Sequence, residues 1–318
     1  MTYDLTTIGE GQLRLTAPAD ARLADVHALR VCAAGSEANV AGLLAQLGRR
    51  TAWASVIPAG SLGDRIVSEY RSAGVDTSFV RRPAYGRVAT YFLEPNADGR
   101  AARVTYDRTG TPFRDARPSD FDWEALTDTR CLLVTGITAA LTSATAELVR
   151  FAVDAAVAKG ARVAVDINYR SSLWSPEAAA QVLDPLLASA WAVFCSRRDA
   201  HTVFGISGEG ADVAAALRSR WSAEHVVSTD GARAVSYAGS AGAHHVDVEA
   251  LPVVDRPGAG DALVAGTLHR LLDDDARSAL ATGIRAAGIA LTHFGDLTRL
   301  DARDLDTHTG DDGGGIIR

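Results

Sequence analysis

The sequence predicts an α/β fold in three layers, with a mostly parallel central sheet covered by helices on both faces. Two observations lead to this prediction. Short apolar runs with strand character alternate along the chain with longer segments of helical periodicity, a pattern typical of parallel sheets joined by crossover helices. Two other segments interrupt this alternation with short strand-like stretches and no long helix, which indicates a second, smaller sheet.

The elements of the larger sheet follow one another in order along the chain. The strand-like runs are Leu5–Ile8, Thr51–Ile57, Cys131–Thr135, Arg162–Asp166, Trp191–Cys195 and His225–Thr229. The helical segments are Ser36–Leu47, Leu62–Ala73, Ser143–Ala158, Pro176–Ala188 and Asp212–Trp221. In parallel sheets of this kind ligands bind beyond the carboxyl ends of the strands, so the polar residues found there are candidates for a functional site.

The smaller sheet is expected from residues 12–34 and 86–108. We interpret it as a small antiparallel sheet that acts as a lid or as a contact in a homo-oligomer, because its apolar face needs a partner. The α/β core, which is expected to hold the ligand site, is then formed by residues 1–11, 35–85 and 109–305. The Gly- and Asp-rich composition of residues 306–318 predicts a disordered tail.

Composition excludes several partners. With 318 residues, a net charge of −7 and 22% charged residues, the chain is a poor candidate for binding nucleic acid or an anionic membrane. No apolar run approaches the length of a membrane span and the start has no signal-peptide character. The three cysteines have neither paired nor metal-ligand spacing, which is consistent with a cytoplasmic location.

The chain contains a single lysine, Lys159, at the end of a predicted surface helix. A Walker-type phosphate loop needs a Gly-Lys-Ser/Thr triplet and a protein kinase needs a strand lysine, so both classes are excluded. A Schiff-base aldolase needs a buried lysine, and the position of Lys159 is unsuitable.

The most specific motif is Gly258-Ala259-Gly260-Asp261, which precedes a predicted helix. Glycines at this place let backbone N–H groups and the positive end of the helix dipole surround an anion. Asp261 would then lie close enough to accept a proton from a hydroxyl group, and a base beside an anion site is sufficient for phosphoryl transfer. The alternative is that Asp261 merely caps the helix after a glycine turn.

The longer segment Asp255-Arg256-Pro257-Gly258-Ala259-Gly260-Asp261-Ala262-Leu263 resembles the C-terminal signature of the ribokinase-like (PfkB) carbohydrate kinases. The resemblance implies that Asp261 is the catalytic base and that Gly258, Ala259 and Gly260 form the anion hole. Arg256 and Pro257 stand where the signature has two threonines. This change leaves a monovalent-cation site near the first aspartate of the signature, Asp255, in doubt.

A second signature of the family, a Gly-Gly pair before an amphipathic helix, resembles Ala34-Gly35-Ser36-Glu37-Ala38-Asn39. The resemblance implies that Gly35 and Asn39 contact the substrate. Ser36 is a candidate N-cap, and a plain capped helix explains that residue equally well.

Further segments resemble the 2-keto-3-deoxygluconate kinases within this family, among them Thr90–Pro95, Val104–Arg108 and Asp166–Pro176, so that the likeness extends to about residue 300. The resemblance implies that the substrate is contacted by Tyr91, Tyr106, Arg108 and Arg170. Arginine binds a carboxylate through a planar, permanently charged fork, which suits a sugar acid. Taken singly, the tyrosines are equally well explained as lid core and the arginines as surface ion pairs.

The same resemblance implies ATP and Mg²⁺ as the other ligands. The residues assigned to the nucleotide are Asn168, Ser196, Ser228, Gly231, Gly258 and Gly260. Asp199 stands in place of a glutamate linked to magnesium, and we expect any contact with the ion to pass through water. Asp230 stands where a basic residue is common, which would weaken the attraction for phosphate.

The expected function is phosphorylation of 2-keto-3-deoxygluconate to its 6-phosphate by ATP. One alternative is a kinase for a neutral sugar of the fructose or ribose type. Another is a catalytically weak sugar or nucleotide sensor, which the substitutions at Ala34, Pro257 and Ser196–Asp199 favour and an intact Asp261 disfavours.

Overall fold

The computed structural model describes residues 1–19, 21–96 and 101–306, and it confirms the predicted α/β fold with a separate small sheet. The strands are β1 (Tyr3–Ile8), β2 (Gln12–Thr16), β3 (Arg30–Ala34), β4 (Thr51–Val56), β5 (Val80–Arg81), β6 (Ala89–Glu94), β7 (Arg103–Asp107), β8 (Thr129–Thr135), β9 (Arg162–Asp166), β10 (Ala192–Ser196), β11 (His225–Thr229), β12 (Ala234–Gly239) and β13 (Gly242–Asp247).

The helices are α1 (Ser36–Gln46), α2 (Ser61–Ser72), α3 (Trp123–Leu126), α4 (Gly136–Ala139), α5 (Ser143–Ala158), α6 (Pro176–Leu187), α7 (Arg197–Phe204), α8 (Asp212–Trp221), α9 (Ala259–Leu271), α10 (Ala276–Leu291) and α11 (Ala302–Asp306). Within the described residues, no helix is both long enough and apolar enough to cross a membrane. The predicted tail lies outside the described residues except for Asp306, which ends α11.

The large sheet has nine strands in the order β13-β12-β11-β10-β9-β8-β1-β4-β5. Its strands are parallel except for β12 and β13, which add an antiparallel edge. In β8, Leu133 points into one hydrophobic cluster while Leu132 and Val134 point into another, because successive side chains of a strand face opposite sides. Helices α1, α9 and α10 cover the first face and α5, α6 and α8 cover the second. The central strands, such as β8 and β10, are therefore buried on both faces, whereas the edge strand β13 is exposed.

The small sheet has four strands in the order β3-β2-β6-β7. The expectation of a purely antiparallel sheet is wrong in one place, since β2 and β6 pair in parallel. The chain leaves the small sheet after β3, passes through α1, β4, α2 and β5, and returns in the same direction. A long crossover of this kind permits parallel pairing, whereas the two outer pairs are antiparallel.

Candidate active site

The turn before α9 presents free backbone amides at the end of a helix. Gly258 is the N-cap residue with φ 88°, and a Cβ atom there would lie 2.2 Å from the carbonyl oxygen of Asp296. Only glycine fits this combination of a positive φ and a close backbone approach. Among the described residues, the amides of Gly258, Gly260 and Asp261 have no hydrogen-bond acceptor. The turn therefore offers donors to an anion, in addition to the helix dipole.

Asp261 lies in the first turn of α9 and is held by two donors from α1. The Ser36 hydroxyl donates to Asp261 Oδ1 at 2.6 Å, and the Asn39 amide donates to Asp261 Oδ2 at 2.7 Å. Asn39 is buried and its own Oδ1 accepts a hydrogen bond from Tyr70 at 2.8 Å. Burial raises the pKa of Asp261 to about 7, against the two hydrogen bonds that lower it. Such a carboxylate is oriented and is basic enough to take a proton at neutral pH.

The prediction that Ser36 caps α1 is wrong. Gly35 is the N-cap residue and makes no side-chain cap, so the Ser36 hydroxyl is free to reach Asp261. Ser36 also accepts a hydrogen bond at 3.2 Å from Asn168, which in turn donates to Asp166 Oδ2 at 3.1 Å. A single chain of hydrogen bonds thus joins Asp261 to the carboxyl end of β9.

The side chain of Arg108 is buried in an ion pair that sequence reasoning missed. Its Nε and Nη2 donate to Oε2 of Glu10 at 2.9 and 2.7 Å, and Thr111 donates to Oε1 of the same carboxylate. The described residues provide no acceptor for the remaining Nη1 of Arg108. The Glu10 carbonyl oxygen packs against Gly35, at 3.0 Å from where a Cβ atom would stand. The guanidinium is therefore held rigidly near the start of α1 with one donor group unused.

The other predicted substrate residues fall into two groups. The Tyr91 hydroxyl donates to Asp296 Oδ2 at 2.9 Å and is buried, while the Tyr106 ring is 42% exposed, 5.6 Å from the Tyr91 ring. The Arg108 guanidinium carbon lies 5.9 Å from the Tyr106 ring centre. Arg170 follows β9 and donates to the Tyr169 carbonyl oxygen at 3.1 Å. The structure thus brings Tyr91, Tyr106 and Arg108 together, and the Tyr91 hydroxyl is already used by Asp296.

Three of the predicted nucleotide residues lie at the carboxyl ends of β10 and β11, while Asn168 follows β9 and Gly258 and Gly260 lie in the turn before α9. Ser196 is the N-cap of α7 and accepts a hydrogen bond from the Asp199 amide at 3.0 Å. Ser228 is buried beside Cys195, and Gly231 lies in the turn after β11 with open space around it.

The charge of Asp230, expected to weaken phosphate attraction, is balanced by two arginines. Arg233 donates to Asp230 at 2.7 Å and Arg197 donates at 3.1 Å. The Arg233 hydrogen bond is the largest cause of the lowered pKa of Asp230. Asp230 thus holds two guanidinium groups near the predicted nucleotide residues, so the net charge of this group of three is positive.

A cation coordinated through water and phosphate fits the residues present. Asp166 ends β9, and Asp199 lies in α7 just after the neighbouring strand β10. Burial raises the pKa of Asp166 to about 6, and the Asp199 charge adds to the shift. The Oδ1 atom of Asn168 is buried without a hydrogen-bond partner within the described part of the chain. That part contains no cluster of three or more His, Cys, Asp or Glu side chains that could hold a metal alone. Mg²⁺ commonly retains several waters, so this sparse donor set suits it.

Sequence reasoning missed four buried charged residues of this region: Glu10, Arg14, Glu37 and Asp296. Glu10 lies two residues after β1 at the carboxyl edge of the sheet, and that position alone would have marked it as a candidate. Glu37 accepts hydrogen bonds from Thr135 and Thr138, both at 2.5 Å, and burial raises its pKa. Asp255, near which a monovalent-cation site was in doubt, is engaged by Arg14 and by the Gly295 amide. Nothing local in the sequence distinguishes Arg14 or Asp296 from surface charges.

The fold and this arrangement agree with what the chain is similar to. The profile of the pfkB family carbohydrate kinases matches residues 3–303. A 2-dehydro-3-deoxygalactonokinase from Haloferax volcanii is 32% identical over 298 residues, covering 93% of each chain. A fructokinase from Klebsiella pneumoniae is 28% identical and covers 86% of this chain and 90% of its own length. The crystal structure of a 2-dehydro-3-deoxygluconokinase from Thermotoga maritima superimposes with a TM-score of 0.90 at 29% identity, covering 96% of this chain and 97% of that chain.

The family match extends over almost the whole chain and includes the Gly258–Asp261 turn, both ends of the large sheet and the small sheet. The chain therefore belongs to the pfkB family of carbohydrate kinases.

Proposed function

We propose that this kinase transfers the γ-phosphoryl group of ATP to a hydroxyl of a sugar acid, in the first place the 6-hydroxyl of 2-keto-3-deoxygluconate. The observation that carries the sugar acid is the buried guanidinium of Arg108, which Glu10 holds by two of its nitrogens while Nη1 has no partner within the described residues. An arginine fixed in this way is prepared to bind a carboxylate. Relatives named for 2-dehydro-3-deoxy sugar acids support the same substrate class.

Asp261 acts as the base in this proposal. Ser36 and Asn39 orient its carboxylate, and a pKa of about 7 allows it to accept the hydroxyl proton as the oxygen attacks phosphorus. The free amides of Gly258 and Gly260 would stabilise the charge on the transferring phosphoryl oxygens. Bound Mg²⁺ would neutralise phosphate charge, held through water near Asp166, Asn168 and Asp199. Ser196, Ser228 and Gly231 would border the nucleotide.

A neutral sugar is the second candidate substrate, because a fructokinase is also among the similar proteins. The two candidate substrates differ in one group: a sugar acid carries a carboxylate that Arg108 and Arg170 can bind, and a neutral sugar does not. Charged hydrogen bonds contribute about 1.5–3 kcal/mol each, so loss of one such contact lowers kcat/KM by ~10–150-fold.

The test is ADP release measured over a panel of sugar acids and neutral sugars with wild type, Arg108→Met, Arg170→Met and Asp261→Asn. Wild type should prefer the acids, and each arginine variant should lose activity on acids far more than on neutral sugars. Asp261→Asn should bind the substrate and lose ~10²–10⁴-fold in turnover. Phosphorylation of neutral sugars alone would exclude the sugar-acid proposal, and unchanged turnover in Asp261→Asn would exclude the assigned base. Binding without ADP release in wild type would indicate a sensor.

A further inference from the structure

Arg14 is the most deeply buried arginine among the described residues, and it lies in the small sheet rather than in the core. Its side chain is fully buried and forms ion pairs with Asp255 and, at 2.5 Å, with Asp296. Its Nε also donates to Thr16 at 2.8 Å. A buried arginine with two carboxylate partners costs much desolvation free energy, and removing it would leave buried acidic groups without their cation.

The two acidic partners are part of the loops that shape the anion-binding turn. Asp255 begins the turn that leads to Gly258 and accepts a hydrogen bond from the Gly295 amide at 3.0 Å. The carbonyl oxygen of Asp296 lies so close to Gly258 that no Cβ atom fits between them. A shift of Asp296 would therefore displace the turn that carries Gly258 and Gly260.

Both contacts from the small sheet come from one register position. Arg14 of β2 is paired directly with Tyr91 of β6, and Tyr91 donates to the second oxygen of Asp296 at 2.9 Å. The guanidinium holds Oδ1 of Asp296 and the phenol holds Oδ2. The packing of the small sheet against the core thus fixes the orientation of the Asp296 carboxylate. The backbone of Asp296 in turn contacts Gly258 of the turn.

The charge balance adds a second effect. Two carboxylates face one guanidinium here, and burial raises the pKa of Asp296. Without Arg14, two uncompensated acidic groups would lie directly behind a turn that must bind anionic phosphoryl oxygens. Arg14 removes that repulsion as well as fixing the loops.

We propose that Arg14 is a positioning residue for phosphoryl transfer. Through Asp255 and Asp296 it holds the Gly258–Gly260 turn in the conformation that binds the anion, and this conformation therefore depends on the small sheet being packed against the core. The inference rests on the proposed role of this turn in the kinase reaction. Anion-hole donors act mainly in the transition state, and a displacement of ~1 Å can cost ~10²-fold in rate.

The experiment compares wild type, Arg14→Lys, Arg14→Ala and Arg49→Ala. Arg49 is the matched control, because it is also mostly buried and ion-paired, with Asp273 at 2.5 Å, and it contacts α9 at His269, at the opposite end of the helix from the turn. At saturating ATP and with the sugar that wild type prefers, Arg14→Lys should lose ~10²-fold in kcat while the KM for sugar changes by less than ~3-fold. Arg49→Ala should lower the melting temperature and leave kcat unchanged.

Two further measurements separate positioning from a structural role. Guanidinium chloride at a few millimolar should restore part of the kcat of Arg14→Ala, whereas potassium chloride at equal ionic strength should not. Calorimetry should show that Arg14→Lys weakens binding of the non-hydrolysable ATP analogue AMP-PNP more than binding of ADP, since only the former carries a γ-phosphate.

An unchanged ratio of AMP-PNP to ADP affinity in Arg14→Lys would overturn the inference, as would a kcat within ~3-fold of wild type or equal rescue by potassium. The binding measurement needs no turnover. Lack of ADP release by wild type with every sugar would therefore refute the proposed function, while the AMP-PNP to ADP ratio would still decide the role of Arg14.

Discussion

At the scale of single residues, the half-buried carboxylate of Asp261 links activity to stability. Its pKa rises from an ordinary 3.8 to about 7, mainly because burial disfavours the charged form. The folded state therefore binds the proton more tightly than the unfolded state does. Stability associated with this group is present at low pH and is lost as pH rises from about 4 to about 7.

We expect Asp261→Asn to be more stable than wild type at neutral pH, because asparagine does not titrate. The difference in unfolding free energy should grow from pH 4 to pH 7, level off above that, and reach at most ~4 kcal/mol. Urea unfolding at a series of pH values measures it. A difference that is constant with pH would show that the pKa of Asp261 is not raised in the folded protein.

At the scale of elements, the turn before α9 depends on a glycine that the sequence motif already singled out. Gly258 combines a φ of 88° with a backbone contact to Asp296, whereas Gly48 after α1 has φ 83° and nothing within 4 Å. Comparison of the two positions separates the cost of a positive φ from the cost of displacing a loop.

Gly258→Ala should lower kcat by at least ~10²-fold, because the new methyl group must push the Asp296 loop or the turn out of place. Gly48→Ala should cost only backbone strain, ~1–3 kcal/mol of stability, and leave kcat unchanged. Paired kinetics and thermal melts provide the measurement. Equal effects of the two substitutions on kcat would show that the contact with Asp296 is unimportant for the reaction.

Local sequence patterns predicted the helices and strands far better than they predicted which strands pair with one another. Helix α5 was predicted as Ser143–Ala158 and begins and ends at those residues, because Thr142 provides an N-cap within the local sequence. The parallel pairing of β2 with β6 was not predicted, since the pairing joins segments that are more than seventy residues apart. No local pattern carries such a register.

The same limit applies to the candidate site. The glycine turn and Asp261 are adjacent in sequence, so a motif could point to them. Arg14 and Asp296 are 282 residues apart and meet only after folding. The short alternating stretches in residues 12–34 predicted a strand there, but not that Arg14 pairs with two aspartates.

At the scale of the whole molecule, the small sheet is thinly packed compared with the large one. All five residues of β7 are exposed, and the small sheet has one minor buried cluster of its own, Ala34, Tyr91 and Leu93. Assembly through this sheet stays a prediction, as does its movement.

Binding of substrate should slow opening of the small sheet most, because its edge strand β7 is exposed, whereas β8 and β9 are interior strands of the large sheet whose amides are already protected. We expect amide hydrogen exchange in β6 and β7 to slow when the sugar and AMP-PNP are both bound, with no change in β8 and β9. Mass spectrometry of peptides from these strands measures it. Uniform protection, or none, would argue against the small sheet as a lid.

The solitary lysine has a practical consequence. Lys159 follows α5, where its side chain is about half exposed and 3.4 Å from Glu124, and the next strand then runs the full depth of the sheet to Asp166. Apart from the chain's own α-amino group, amine-directed reagents have one attachment point, on the rim opposite the glycine turn. A dye or surface tether coupled to Lys159 would leave the candidate active site around Asp261 unobstructed.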